Sequence, residues 1–312
     1  MAVRQDVFTA ELPVGERLVI QKNRIRGYHR RGPRVSVVTG IHGDELEGQY
    51  VAYELARQLE ARLENLHGIV DIYPAINPLG INSVQRRMPD FDIDLDRTFP
   101  GSEEGNLAEA LAAAVVEDIK GSDVCVDVHS SGIFMREMPQ VRLNVEFAKT
   151  LLPIAPLLNV NFVWLRETTT EGKSSLAYAL NEAGTPCLVV ESGVGLRVTE
   201  DYGSRLTEGI LRLLAYYHGW EGGYVSALPP HVARDEDVSV VYSEVAGVFL
   251  PRAQHASVVE AGALIGIVVD PTTGKVETEV HAPASGLLFT LREYPVVAPG
   301  SLLARILRGV SR

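Results

Sequence analysis

From Arg34 to Thr39 the chain reads RVSVVT, a short β-branched run that ends at Gly40 and passes into polar residues, which predicts a buried strand feeding a loop. Over Glu47 to Glu64 the apolar positions Val51, Leu55, Leu59 and Leu63 recur every four residues, the spacing of one helix face. Strand, loop and helix make a unit, and the unit repeats. Ile69 to Ala75, Val124 to Val128, Asn161 to Leu165 and Leu188 to Val190 read as further strands. Leu107 to Ile119, Lys173 to Ala183 and Leu206 to Tyr217 read as helices, the second with Gly184 in the C-cap place. The N-terminal stretch supplies candidates for two edge strands. Such alternation predicts an α/β fold, a mixed and mostly parallel sheet between helices. Between Gly219 and Asp237 the composition turns to Gly, Pro and charge, and no helical period returns beyond it. The expected division is an α/β domain over residues 1–222 and a small all-β domain, barrel or sandwich, over 238–312.

Charge and composition narrow the function. With 29 Lys and Arg against 40 Asp and Glu, the net charge of −11 argues against nucleic acid or an anionic membrane as partner. The arginine-rich run Arg24 to Arg34 then reads as a solvated edge. At 46% apolar and 22% charged the chain has the balance of an ordinary globular protein. The longest unbroken aliphatic run, Ala110 to Val116, falls far short of the roughly 18 residues of a spanning helix, and the N-terminus carries no apolar leader, so a cytoplasmic home is expected. Cys125 and Cys187 both sit in apolar runs and read as small core residues.

Chemistry concentrates where apolar strands end. Gly40-Ile41-His42-Gly43-Asp44-Glu45 places an imidazole and a carboxylate three apart in a glycine-rich loop, where both side chains can turn to one point. Asp127-Val128-His129-Ser130-Ser131-Gly132 puts a second histidine at a strand end. His42, Glu45 and His129 together make a set of three zinc ligands, which leaves a fourth position open, the arrangement of a hydrolytic site. Glu191, in Val189-Val190-Glu191-Ser192-Gly193, ends yet another apolar strand, where a carboxylate is otherwise poorly motivated; it is a candidate general base. Between these lie Asn77-Pro78-Leu79-Gly80, then Arg86-Arg87, then Asp94-Leu95-Asp96-Arg97-Thr98-Phe99-Pro100-Gly101. Arginine forks there suit carboxylates and developing oxyanions.

In this order the five motifs resemble those of the zinc carboxypeptidases, and more closely the succinylglutamate desuccinylase/aspartoacylase branch, over about residues 34 to 195. The β-rich tail also resembles the C-terminal domain of many branch members. The resemblance implies one zinc per chain held by His42, Glu45 and His129, with Glu191 as general base and acid. It implies that Arg86 polarises the scissile carbonyl, that Asp94 orients the His42 imidazole, and that Arg97 holds a substrate carboxylate. One position departs from the branch, which usually has Asn where this chain has Asp96. An acid beside Arg97 would repel a carboxylate and could receive a cationic amine, so a substrate bearing an amino group fits better than a diacid. In the tail, Gly274-Lys275 followed by Ala282-Pro283-Ala284-Ser285-Gly286 resembles a lipoyl-type hairpin without the acidic residue that usually precedes the lysine. The function expected is a zinc-dependent amidohydrolase cleaving a small N-acyl amino acid by a metal-activated water. A metallocarboxypeptidase acting on short peptides and a non-catalytic metal-containing binding protein are the alternatives, and a homo-oligomer is left open.

Overall fold

The computed structural model describes residues 2–89, 92–226 and 229–310. In chain order the first part runs β1 (Ala2–Glu11), β2 (Arg17–Arg26), β3 (His29–Thr39), α1 (Glu47–Ala61), β4 (His67–Tyr73), α2 (Pro78–Ser83), α3 (Leu107–Ile119), β5 (Val124–His129), β6 (Met135–Asn144), α4 (Ala148–Leu151), β7 (Phe162–Arg166), α5 (Leu176–Glu182), β8 (Cys187–Gly193) and α6 (Glu200–Tyr216). The rest is β9 (His231–Arg234), β10 (Val238–Tyr242), β11 (Gly247–Pro251), β12 (Val258–Val259), β13 (Leu264–Asp270), β14 (Lys275–His281), β15 (Gly286–Arg292), β16 (Val296–Val297) and β17 (Leu302–Arg308).

Thirteen strands of the described residues share one mixed sheet, whose main path is β1-β2-β4-β3-β5-β8-β6-β15-β17-β10. Its centre, β4-β3-β5-β8, is parallel, and strand pairs toward both ends are antiparallel. A second, four-stranded antiparallel sheet, β14-β13-β11-β16, stands in the C-terminal part. The fold is thus the expected mixed α/β one with a separate β sheet near its C-terminus. Helices cover both faces of the central strands. On one face Val51, Leu55 and Leu59 of α1 and Leu206, Ile210 and Leu213 of α6 pack with Val35, Val37, Val126 and Val190. On the other, Leu111 and Val115 of α3 and Leu176 and Leu180 of α5 pack with Val38 and the buried Cys125 and Cys187.

The amphipathic helices and the central strands fall where their apolar periods put them. The helix read as beginning at Lys173 instead starts at Leu176, because the Ser175 hydroxyl accepts the Tyr178 N–H at 3.2 Å and caps it there. Helix α6 begins at Glu200, before its apolar stripe, with Glu200 and Asp201 in the favourable first turn. Strand β6 has no counterpart among the elements that the sequence pattern predicts. Its residues MREMPQVRLN mix charge with Pro139, and its register against β8 breaks between Glu137 and Gln140, so no period of two survives to be read. It matters because β6 joins β8 to β15, and so carries the sheet from the parallel centre into the C-terminal strands. A cluster of Met138, Phe162, Trp164, Leu287, Phe289 and Leu307 seals that junction. No helix of the described residues is long and apolar enough to cross a membrane.

Candidate active site

β3, β5 and β8 lie side by side and parallel, so their carboxyl ends share one edge of the sheet, the edge where open α/β sheets form sites. His129 and Glu191 are register partners there, and the loop after Thr39 carries His42 and Glu45 to the same edge. That loop is held by close packing on the segment that follows β4. A Cβ on Gly43 would stand 2.0 Å from the Gly80 carbonyl carbon, so only glycine fits. The Gly43 N–H donates to the Arg86 carbonyl at 3.2 Å. Fully buried Asn77 caps α2 by accepting the Gly80 N–H at 2.8 Å, and its amide donates to the same Arg86 carbonyl at 3.4 Å. The GIHG and NPLG segments therefore act together to aim Arg86.

Three donor groups converge. His42 Nδ1 lies 2.9 Å from Glu45 Oε1, His129 Nδ1 lies 3.0 Å from Glu45 Oε2, and the two Nδ1 atoms are 3.3 Å apart. The opposite nitrogen of each ring faces a carboxylate, His42 Nε2 to Asp94 at 3.1 Å and His129 Nε2 to Asp127 at 3.1 Å. With each Nε2 facing an acid, both Nδ1 atoms turn inward, the arrangement that orients imidazoles toward a metal whose binding displaces the inner protons. Among the described residues, His42, Glu45 and His129 are one of two groups with donor atoms close enough to hold an ion; the other is Asp96, Asp127 and His129. Burial disfavours a charged His42 ring, yet Glu45 and Asp94 overcome it and raise its pKa to about 9. Glu45 is likewise pushed up by burial but held well below the usual carboxylate range by the two histidines. A pocket this rich in negative potential favours a cation, and the set of two imidazoles and one carboxylate suits a divalent metal.

The other residues singled out from sequence surround this set. Arg86 donates to Glu45 Oε1 at 2.7 Å and stands 3.7 Å from Asp94. Asp94 also accepts the Asp96 N–H at 3.1 Å. Asp96 accepts the Leu176 N–H at 3.2 Å and pairs with Arg97 at 3.3 Å; burial, with Asp127 nearby, raises its pKa. Glu191 is raised to about 7, first by burial and then by Glu45 and Glu137, against the lowering pull of Arg142. His42, Glu45, His129, Arg86, Asp96, Arg97 and Glu191 all line one polar cavity of about 410 Å³.

The structure adds four residues that sequence reading did not place. Asp127 was visible in principle, since a residue two before His129 on a strand shares its face. Arg142 had no local signal; it donates to Glu191 at 2.9 Å from β6. Glu137, also on β6, and Arg305, on β17, line the same cavity and pair at 2.6 Å.

A mixed α/β sheet with a His/Glu/His donor set at its central carboxyl edge defines the class to which this protein belongs, a candidate metal-site enzyme fold. The chain belongs to the succinylglutamate desuccinylase/aspartoacylase family: residues 31–217 match its catalytic domain. A curated relative, N-alpha-acetyl-L-2,4-diaminobutyric acid deacetylase of Halomonas elongata, is 28% identical over 292 residues, which span 88% of this chain and 82% of that protein. Among solved structures, a succinylglutamate desuccinylase from Silicibacter sp. TM1040 superposes with a TM-score of 0.84 at 21% identity, over 98% of this chain and 94% of the other. A product-bound ectoine utilization protein from Ruegeria pomeroyi gives 0.82 at 20% identity, over 98% and 94%. At these identities the two structures speak for the fold.

Proposed function

We propose that this protein is a zinc-dependent deacylase that hydrolyses the amide bond of a small N-acyl amino acid carrying a second amino group. The observation that carries the proposal is the meeting of His42, Glu45 and His129 with Glu191 in one cavity. In this reading His42, Glu45 and His129 would hold one zinc per chain, which would supply Lewis acidity toward the acyl carbonyl and lower the pKa of a water. Glu191 takes a proton from the attacking water and returns it to the departing amine, so that water and amide become carboxylate and amine. Arg86, aimed into the cavity by Asn77 and Gly43, stabilises the oxyanion that develops on the carbonyl. Asp94 and Asp127 hold the imidazoles in orientation. Arg97 receives the substrate carboxylate, and Asp96 beside it receives the second ammonium group.

Two facts support the substrate class. A cavity of about 410 Å³ suits a small molecule better than a peptide. The diaminobutyric acid deacetylase acts, by its name, on an acylated diamino acid. The test is metal content by mass spectrometry on wild type and His42→Ala, beside a panel of acidic, neutral and basic N-acetyl amino acids that includes an N-acetyl diamino acid. About one zinc per wild-type chain, lost in the variant, with fastest turnover of the diamino compound, is the expected result. Wild type that takes up no added zinc would end the proposal.

A further inference from the structure

Glu191 stands two residues before the end of β8 on a side chain with three rotatable bonds, and a proton carrier must be held to a fraction of an ångström to act on a water and then on an amine. What holds it runs sideways across the sheet. Arg142, on the neighbouring β6, gives Nη1 to Glu191 at 2.9 Å and Nη2 to Glu137. Glu137 has no solvent exposure; it also accepts from Gln140 at 2.6 Å, from Arg305 Nη1 at 2.6 Å and from Thr290 at 3.4 Å. Glu137 is the register partner of Thr290 on β15, and Thr290 is the register partner of Arg305 on β17, so the three side chains share one face. The guanidinium groups of Arg142 and Arg305 also stand 5.7 and 5.6 Å from the ring of Trp164, which fixes both from one side.

The result is an unbroken row of alternating charge, Glu191, Arg142, Glu137, Arg305, that spans four strands. Burying such a row costs desolvation that a hydrophobic replacement would avoid, so folding stability alone does not account for it. We infer that Arg142, Glu137 and Arg305 are positioning residues that hold Glu191 in place, and that the C-terminal strands thereby contribute to catalysis through Arg305. This rests on the reading of Glu191 as general base.

The experiment is a double-mutant cycle on the zinc-loaded full chain, with the N-acetyl diamino acid of the panel as probe. Arg305→Gln is expected to lower kcat about 10- to 100-fold, the usual scale for groups that orient a reacting one, with KM within about two-fold and zinc content unchanged. In a Glu191→Gln background the same substitution is expected to cost nothing further, because there is no proton carrier left to position. Wild-type kcat in Arg305→Gln, or an equal loss in both backgrounds, overturns the inference while leaving Glu191 its role. Full activity of Glu191→Gln alone overturns both. If Arg305→Gln does not fold, the paired variant Glu137→Gln with Arg305→Gln leaves no unbalanced charge; the same loss of kcat is expected, and wild-type kcat there overturns the positioning chain.

Discussion

Two carboxylates in this protein are wholly withdrawn from solvent and clasped by cations, and they do different things. Asp71, on β4, accepts two bonds from Arg24 at 2.6 Å and one from Arg34 at 2.8 Å, with Lys22 at 3.9 Å. Lys22 turns in its turn to Asp118, which also accepts the Tyr73 hydroxyl at 2.7 Å. That network closes on itself and takes no part in lining the cavity. Glu137 is clasped as tightly, but its arginine has a second hand, and that hand holds Glu191. The chemistry of a buried carboxylate is the same in both places. What separates a girder from a positioning device is whether the last partner in the row faces a cavity.

The sharpest way to break the contrast is at the open end of the second row. Glu191→Gln is expected to retain zinc while losing about 10² to 10⁴ in rate, the range of a general acid–base contribution. Metal analysis with single-turnover hydrolysis checks both halves. The closed network should answer in stability instead. Asp71→Asn leaves buried Lys22 and half-buried Arg24 and Arg34 short of a counter-charge and is expected to cost about 3 to 5 kcal/mol in urea unfolding, with kcat of the folded fraction unchanged.

The pH dependence of that cost follows from sign. Burial pushes the Asp71 pKa up, but Arg24, Lys22 and Arg34 outweigh it and hold it below the ordinary value. A depressed carboxylate contributes stability above its unfolded pKa and loses it as pH falls through the folded one. The gap between wild type and Asp71→Asn is therefore expected to hold constant near neutrality and to close on acidification below about pH 4. Unfolding curves from pH 7 to pH 3 read it directly, and a gap that widened in acid would refute the assignment. Arg305→Gln falls between the two cases, with an expected loss of about 10- to 100-fold in kcat.

The smallest effect concerns selectivity. Asp96→Asn is expected to reduce the preference for basic over acidic N-acetyl amino acids by about 10-fold, because it removes a charge that attracts an ammonium and repels a carboxylate. Ratios of kcat/KM across the panel measure it, and unchanged ratios would remove Asp96 from the substrate site.

Much of this was legible in the chain before folding, because strand and helix periods are local and the central strands are buried on both faces. RVSVVT, DVCVDVH and CLVVESG each announce a buried strand, and at or within three residues of each strand's end stands a residue whose chemistry is out of place in a core: His42 just after the first, His129 closing the second and Glu191 near the end of the third. Parallel neighbours must then bring His42, His129 and Glu191 to one edge. Strand β6 escaped because Pro139 and a bulge destroy its period, and with it went Arg142 and Glu137.

The sequence by itself determined the alternating elements, the family, and the residues standing at the strand ends, since each rests on spacing within a few positions. Only the tertiary structure decided who holds them. Arg142 meets Glu191 across 49 residues of chain, and Arg305 meets Glu137 across 168. No local pattern encodes such partnerships: an arginine in VRLN or LLARILR looks like any solvated charge until neighbouring strands remove the water around it and a buried carboxylate becomes its only inexpensive partner.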